Sequence, residues 1–172
     1  MRLGARLSVL VALLLFTDLG AAWAQEDAAK VRDLQLAPVA FRPANNGTDF
    51  VVEAGGLGRL CGTKGAGYFM APLQLADGVT IEGVTVFIED TNRDGLGMMA
   101  LVRTRPDPPD GKSFEVLALT PVSVGTKDIE TLSTTAISAP VIDNKLGAYL
   151  LQVVLTTPGV CLHGARVTYR VP

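Results

Sequence analysis

"VTIEGVTVFIEDTNRDGLGMMALVRT", Val79 to Thr104, is the stretch whose reading decides the fold. Val79 and Ile81 share one phase and Val84, Val86 and Ile88 the other, so apolar residues recur at every second position, as in a strand with one dry face. The phase changes across Gly83, where a β-bulge is expected. "MMALV" then supplies a second strand, with Met98, Ala100 and Val102 on one side and Met99 and Leu101 on the other. Between them "RDG", Arg93 to Gly95, carries the Asp-Gly signal of a tight hairpin.

Working outward, the same pattern repeats. Short runs rich in Val, Ile, Leu, Phe and Thr are separated by "ADG", "PDPPDG", "VGT", "DNKLG" and "TPG", all turn chemistry. Strands are expected at Tyr68 to Leu75, Val79 to Glu89, Met98 to Arg105, Ser113 to Pro121, Glu130 to Ile137, Ala148 to Thr156 and Cys161 to Val171, with further pieces near Phe41 and Phe50 to Val52. No stretch after residue 24 shows capped helical periodicity. The fold expected is all-β: a single-domain antiparallel sandwich, jelly-roll-like. In "CLHGARVTYRV" the odd positions, Cys161 to Val171, form the dry face, and His163 falls among them.

The N-terminus reads as an export signal. Arg2 and Arg6 precede the apolar run Leu7 to Phe16, and Ala22 and Ala24 are small residues where a signal peptidase reads. Asp18 interrupts the run before it could span a bilayer. The expected organisation is a signal peptide at 1–24, an N-terminal extension and glycine-rich loop at 25–65 belonging to the domain, and the sandwich core at 66–172. Cleavage leaves 148 of the 172 residues. Of 15 basic and 17 acidic residues it removes Arg2, Arg6 and Asp18, leaving 13 and 16, a net charge of −3. With no basic stripe to follow a phosphate backbone, nucleic acid is not an expected partner, and no membrane span remains. The protein is expected in the periplasm or outside the cell.

Cys61 and Cys161 are the two cysteines. In an oxidising compartment an even count favours a disulfide, the alternative being two buried thiols. "GGLGRLCGTKGAG", Gly55 to Gly67, lacks the Gly-Lys-Ser/Thr of a phosphate loop and reads as a flexible loop tethered by Cys61.

Asp90, Asn92 and Asp94 alternate ahead of Gly95, as in the first half of a calcium loop. A helical calcium hand would need a bidentate Glu at its twelfth position, which is Leu101. A weak surface calcium site on Asp90, Asn92 and Asp94 stays possible chemically, but a turn that needs no cofactor is the expectation. His163, the single histidine, is expected to be packed and hydrogen-bonded rather than catalytic. Gly-x-Ser-x-Gly and His-Glu-x-x-His motifs are missing. Glu82, Glu89, Asp90 and Glu115 have the right chemistry for a carboxylate pair that cleaves glycosides, although sequence places no two of them together.

"FMAPLQLADGVTIEGVTVFIEDTNRDGLGMMALVRT", "TLSTTAISAPVIDNKLGAYLLQVVL" and "LHGARVTYRV" together resemble uncharacterised exported bacterial proteins that have a Leu-x-Asp-Gly turn and a closing Gly-x-x-Ile/Val-x-Tyr strand. That resemblance spans Phe69 to Val171, implies a jelly-roll-like sandwich and carries no activity. The function expected is an exported, non-catalytic protein with a structural or interaction role at the bacterial envelope or outside the cell. The alternative is a carbohydrate-binding or adhesive module, and a small glycoside hydrolase comes third. With Trp23 lost on cleavage and Tyr68, Tyr149 and Tyr169 assigned to core packing, aromatic surface for a sugar looks scarce.

Two strands are too apolar for a sheet with one wet face. Leu150 and Val154 lie opposite Tyr149, Leu151, Val153 and Leu155, and Met99 and Leu101 oppose Met98, Ala100 and Val102. Either the Gly55 to Gly67 segment covers the second face, or copies of the chain do. A homo-oligomer, as a trimer, is therefore expected to use Met99, Leu101, Leu150 and Val154.

Overall fold

The structure, a computed structural model, describes residues 30–53, 58–108 and 111–172; the expected signal peptide lies outside the described residues. Eleven strands are seen among them: β1 (Lys30–Leu36), β2 (Arg42–Pro43), β3 (Phe50–Glu53), β4 (Arg59–Gly62), β5 (Gly67–Leu73), β6 (Thr80–Asp90), β7 (Gly97–Thr104), β8 (Phe114–Leu119), β9 (Ile129–Thr134), β10 (Ala148–Leu155) and β11 (Val160–Val171). They form two antiparallel sheets. The first runs β3-β4-β11-β6-β9, with β1 also on β11; the second runs β2-β5-β10-β7-β8. The protein is an all-β sandwich.

The two sheets close over one core. From the first come Leu60, Val84, Val86, Ile88, Leu162 and Val167, and from the second Phe69, Met99, Leu101, Leu151, Val153 and Leu155, all without solvent exposure. Each such side chain contributes on the order of 1.5–3 kcal/mol by leaving water. The bulge expected at Gly83 is present: Thr168 pairs with Gly83 and Tyr169 with Ile81, so Glu82 is the extra residue.

Four expectations are corrected. First, the Asp-Gly turn does not close a hairpin. β6 pairs with β11 and β9, while β7 pairs with β10 and β8, so Thr91 to Leu96 carries the chain from one sheet to the other. Second, Met99 and Leu101 cannot be partner contacts. They face the core beside Leu151 and Val153; Leu150 and Val154 pair with Val102 and Met98 on the outer face of the second sheet. Third, β4 interrupts the glycine-rich loop: Leu60 seals the core and Cys61 pairs with Cys161. Finally, Tyr68 points outward, 43% exposed, while Tyr149 is buried and Tyr169 packs on the core.

β11 contains a second bulge that sequence alternation did not reveal. Leu162 pairs with Ile88 and Gly164 with Phe87, leaving His163 unpaired between them. The extra residue shifts the phase, so Val160 and Leu162 join the core cluster and Cys161 and His163 do not, although Cys161 is still buried. Gly164 makes this possible. Its φ is 145°, and a Cβ there would lie 3.0 Å from the carbonyl oxygen of Leu36.

Candidate functional site

Four adjacent strands of the second sheet end at one cleft of about 1060 Å³. Gln74 and Leu75 follow β5, Arg105 and Pro106 follow β7, Ser113 precedes β8 and Phe114 opens it, and Asn144 and Lys145 precede β10. The strand register brings them together, because Tyr149 pairs with Leu73 on one side and Arg103 on the other, and Thr104 pairs with Phe114. Phe114 is 43% exposed.

The polar groups of the cleft are held from beneath. Asn144 receives fixed geometry from both ends: its backbone N–H donates to Asp77 Oδ1 at 2.8 Å, and its Nδ2 donates to the Leu75 carbonyl at 3.1 Å. That leaves its Oδ1 as an oriented acceptor. Tyr149 Oη accepts from the Asp143 N–H at 3.1 Å and anchors the same loop. Arg105 is placed by Glu115, whose Oε2 accepts from Arg105 Nη2 at 2.9 Å and from Arg103 Nη2 at 2.6 Å. The Arg103 guanidinium, foremost, and then Arg105 hold the Glu115 carboxyl below the usual carboxylate range. Arg105 Nε is buried without a partner.

A second polar cluster covers the disulfide on the outer face of the first sheet. Arg59 Nε donates to Glu53 Oε2 at 2.8 Å and its Nη1 to Glu89 Oε2 at 2.7 Å, while His163 Nε2 lies 2.8 Å from the same Glu89 oxygen. The expectation that His163 is hydrogen-bonded holds, but on this outer face rather than in the core. The hydrogen bonds from His163 and then from Arg59 lower the Glu89 pKa from its ordinary 4.5. A carboxylate whose folded pKa lies below its unfolded one stabilises the protein above the unfolded value, and the effect disappears as pH falls through the folded value. The melting temperature is therefore expected to fall as the pH drops below about 4.5. Glu89→Gln should flatten that fall, and identical acid profiles for variant and wild type would contradict it.

The remaining candidates are dispersed. Asp90 is fully buried; its Oδ2 accepts from Ser123 Oγ at 2.5 Å and its Oδ1 from the Asn92 N–H at 3.0 Å. Asn92 Oδ1 accepts from the Asp94 N–H at 3.0 Å, and Asn92 Nδ2 donates to the Pro158 carbonyl at 3.0 Å. The side chains of Asp90 and Asn92 thus tie the inter-sheet connection together. Glu82 pairs with Arg170. Each of the four carboxylates considered for glycoside cleavage has its own protein partner. Cys61 and Cys161 are joined as a disulfide across β4 and β11.

Phe114, Gln74, Asn144, Lys145 and Arg105 were not singled out by the sequence. Their one signal was position, since each sits at a strand end beside a turn motif.

No protein-family model matches the chain, and no curated protein matches it in sequence. Solved structures do share the fold. The C-terminal family 6 carbohydrate-binding module of LamC, a marine laminarinase from Zobellia galactanivorans, superposes with a TM-score of 0.52 at 14% identity, over 80% of this chain and 99% of that one. The family 22 xylan-binding domain of Xyn10C from Paenibacillus barcinonensis gives a TM-score of 0.51 at 11% identity, over 81% and 99%. The chain thus has the β-sandwich architecture found in carbohydrate-binding modules.

Proposed function

We propose that the protein is an exported, non-catalytic module that binds carbohydrate in the cleft at the end of the second sheet. The observation that carries the reading is the exposed Phe114 ring beside Gln74, Asn144 and Lys145. A pyranose has an apolar C–H face that stacks on an aromatic ring and a rim of hydroxyls that needs donors and acceptors. The shared fold with two carbohydrate-binding modules supports this alternative over a purely structural role. Glu82, Glu89, Asp90 and Glu115, engaged in ion pairs and hydrogen bonds, act as scaffold, and no calcium takes part. A disulfide suits an oxidising compartment, the periplasm or the exterior.

The test is calorimetric titration of the mature protein with soluble polysaccharides, xylan and laminarin among them, with and without chelator. Phe114→Ala is expected to weaken binding by roughly tenfold or more, since a buried aromatic anchor at a binding site typically contributes over 1 kcal/mol. Absence of binding to every polysaccharide, or undiminished binding by Phe114→Ala, would reject the reading.

Self-association through the outer face of the second sheet, as a trimer, is a second reading. It is favoured by the exposure of Tyr68, Val116 and Leu119, each above 40%, on that face.

A further inference from the structure

The outer face of the first sheet contains an arginine with nothing to bind. Arg166 has no hydrogen-bond or ion-pair partner among the described residues, and its Nε is buried and unsatisfied. A cation half-removed from water and left without an acceptor carries a desolvation cost that native structures ordinarily avoid. Nor is the side chain loose. Its guanidinium carbon lies 6.0 Å from the centre of the Phe87 ring, a cation–π contact that fixes the head group and uses none of its N–H donors.

Around it is a pocket of about 410 Å³, with Gln35, Pro38, Phe87 and His163 in its lining. The pocket is built by the β11 bulge, where His163 is extruded and Gly164 allows the Leu36 backbone to approach. Pro38, buried at the start of the 3-10 turn that follows β1, makes an apolar wall. His163 has Nε2 engaged by Glu89, which leaves Nδ1 for a neighbouring hydroxyl. On the neighbouring strand β1, Asp33 accepts from Thr168 Oγ1 at 2.7 Å, and Glu89 is paired with Arg59.

From this we infer that the pocket is a binding site for a uronate, a sugar ring bearing a carboxylate. The fork of Arg166 matches a carboxylate with two parallel hydrogen bonds. The apolar wall of Pro38 suits the C–H face of the ring, and Gln35 and His163 suit its hydroxyls. The site lies on the opposite sheet from the cleft around Phe114, so the inference does not depend on that cleft binding sugar.

Titration of the mature protein with glucuronate and galacturonate, followed by two-dimensional amide NMR, tests it. Expected is a saturable shift of the Gln35, Ala37, Gly164 and Ala165 amides, with no such shift from glucose or galactose and weaker binding of acetate. Arg166→Gln should weaken uronate binding roughly tenfold or more, and Arg166→Lys, which keeps the charge without the fork, should fall between. Phe114→Ala should leave the titration unchanged. Absence of any uronate shift overturns the inference, as does equal affinity for acetate or neutral sugars. Unaltered binding in an Arg166→Gln protein with a native-like spectrum does so too.

Discussion

Reduction of the Cys61–Cys161 bond, or its replacement by serines, is expected to lower the melting temperature by about 10 °C. The bond joins residues 100 apart in sequence. In the chain-entropy model it removes about 4.7 kcal/mol of freedom from the unfolded chain, and natural disulfides typically deliver about 2–4. At this chain length each kcal/mol shifts the melting point by roughly 2–4 °C. Topology adds a local effect. β4 is registered on β11 through two residue pairs alone, Cys61 with Cys161 and Leu60 with Leu162, and among the described strands β3 pairs with β4 alone. Without the disulfide, the Arg59–Glu89 ion pair, the burial of Leu60, the packing of Val52 and the edge-to-face contact of Phe50 with Phe69 still fasten that edge. Hydrogen exchange should therefore show Phe50–Glu53 and Arg59–Gly62 losing protection ahead of β6 and β10. Uniform loss across all strands, or an unchanged melting point, would mean that the bond does not pin this edge.

The strands from β5 onward were legible because they are short apolar runs separated by turn motifs. Two others were not. β1, "KVRDLQL", is largely exposed, with only Leu34 and Leu36 packed on the core, so it reads as a polar extension. β4 is four residues long and flanked by glycines. The Asp-Gly turn misled for a different reason. Turn chemistry is local and says that the chain reverses, not whether the next strand joins the same sheet or crosses the sandwich. The phase of β11 was lost at His163, where one extra residue swaps the faces; Gly164 was the available sign. The cleft was illegible in principle. Gln74, Asn144 and the pair Arg105 and Phe114 come from three separate connections, and they converge only because the strand order is β5-β10-β7-β8. Both phases of "FEVLAL" are apolar, and the bulge in β8 near Leu117 sends that residue inward and leaves Val116 exposed.

Leu101→Glu is expected to abolish folding, whereas Leu150→Glu is expected to be tolerated. Leu101 pairs with Leu151 on one side and Ala118 on the other, and none of its surface reaches solvent. Trimming it to alanine should cost about 2–5 kcal/mol through lost contacts and the cavity left behind. A carboxylate there has no partner, so it must be desolvated or protonated, on top of the lost packing. Against a total stability of about 5–15 kcal/mol, that leaves little folded protein. Leu150 sits on the other side of the same sheet, half-buried between Pro72 and Val102. A charge there stays in water, and the cost should be within about 1 kcal/mol. Circular dichroism melts of the two variants decide between them, and comparable tolerance at both positions would overturn the assignment of inner and outer faces. Light scattering on Leu150→Glu then addresses assembly. If copies of the chain cover this face, the variant should drop to the monomer mass while keeping its melting transition, because the charge disrupts only a contact formed after each sandwich has closed on its own core.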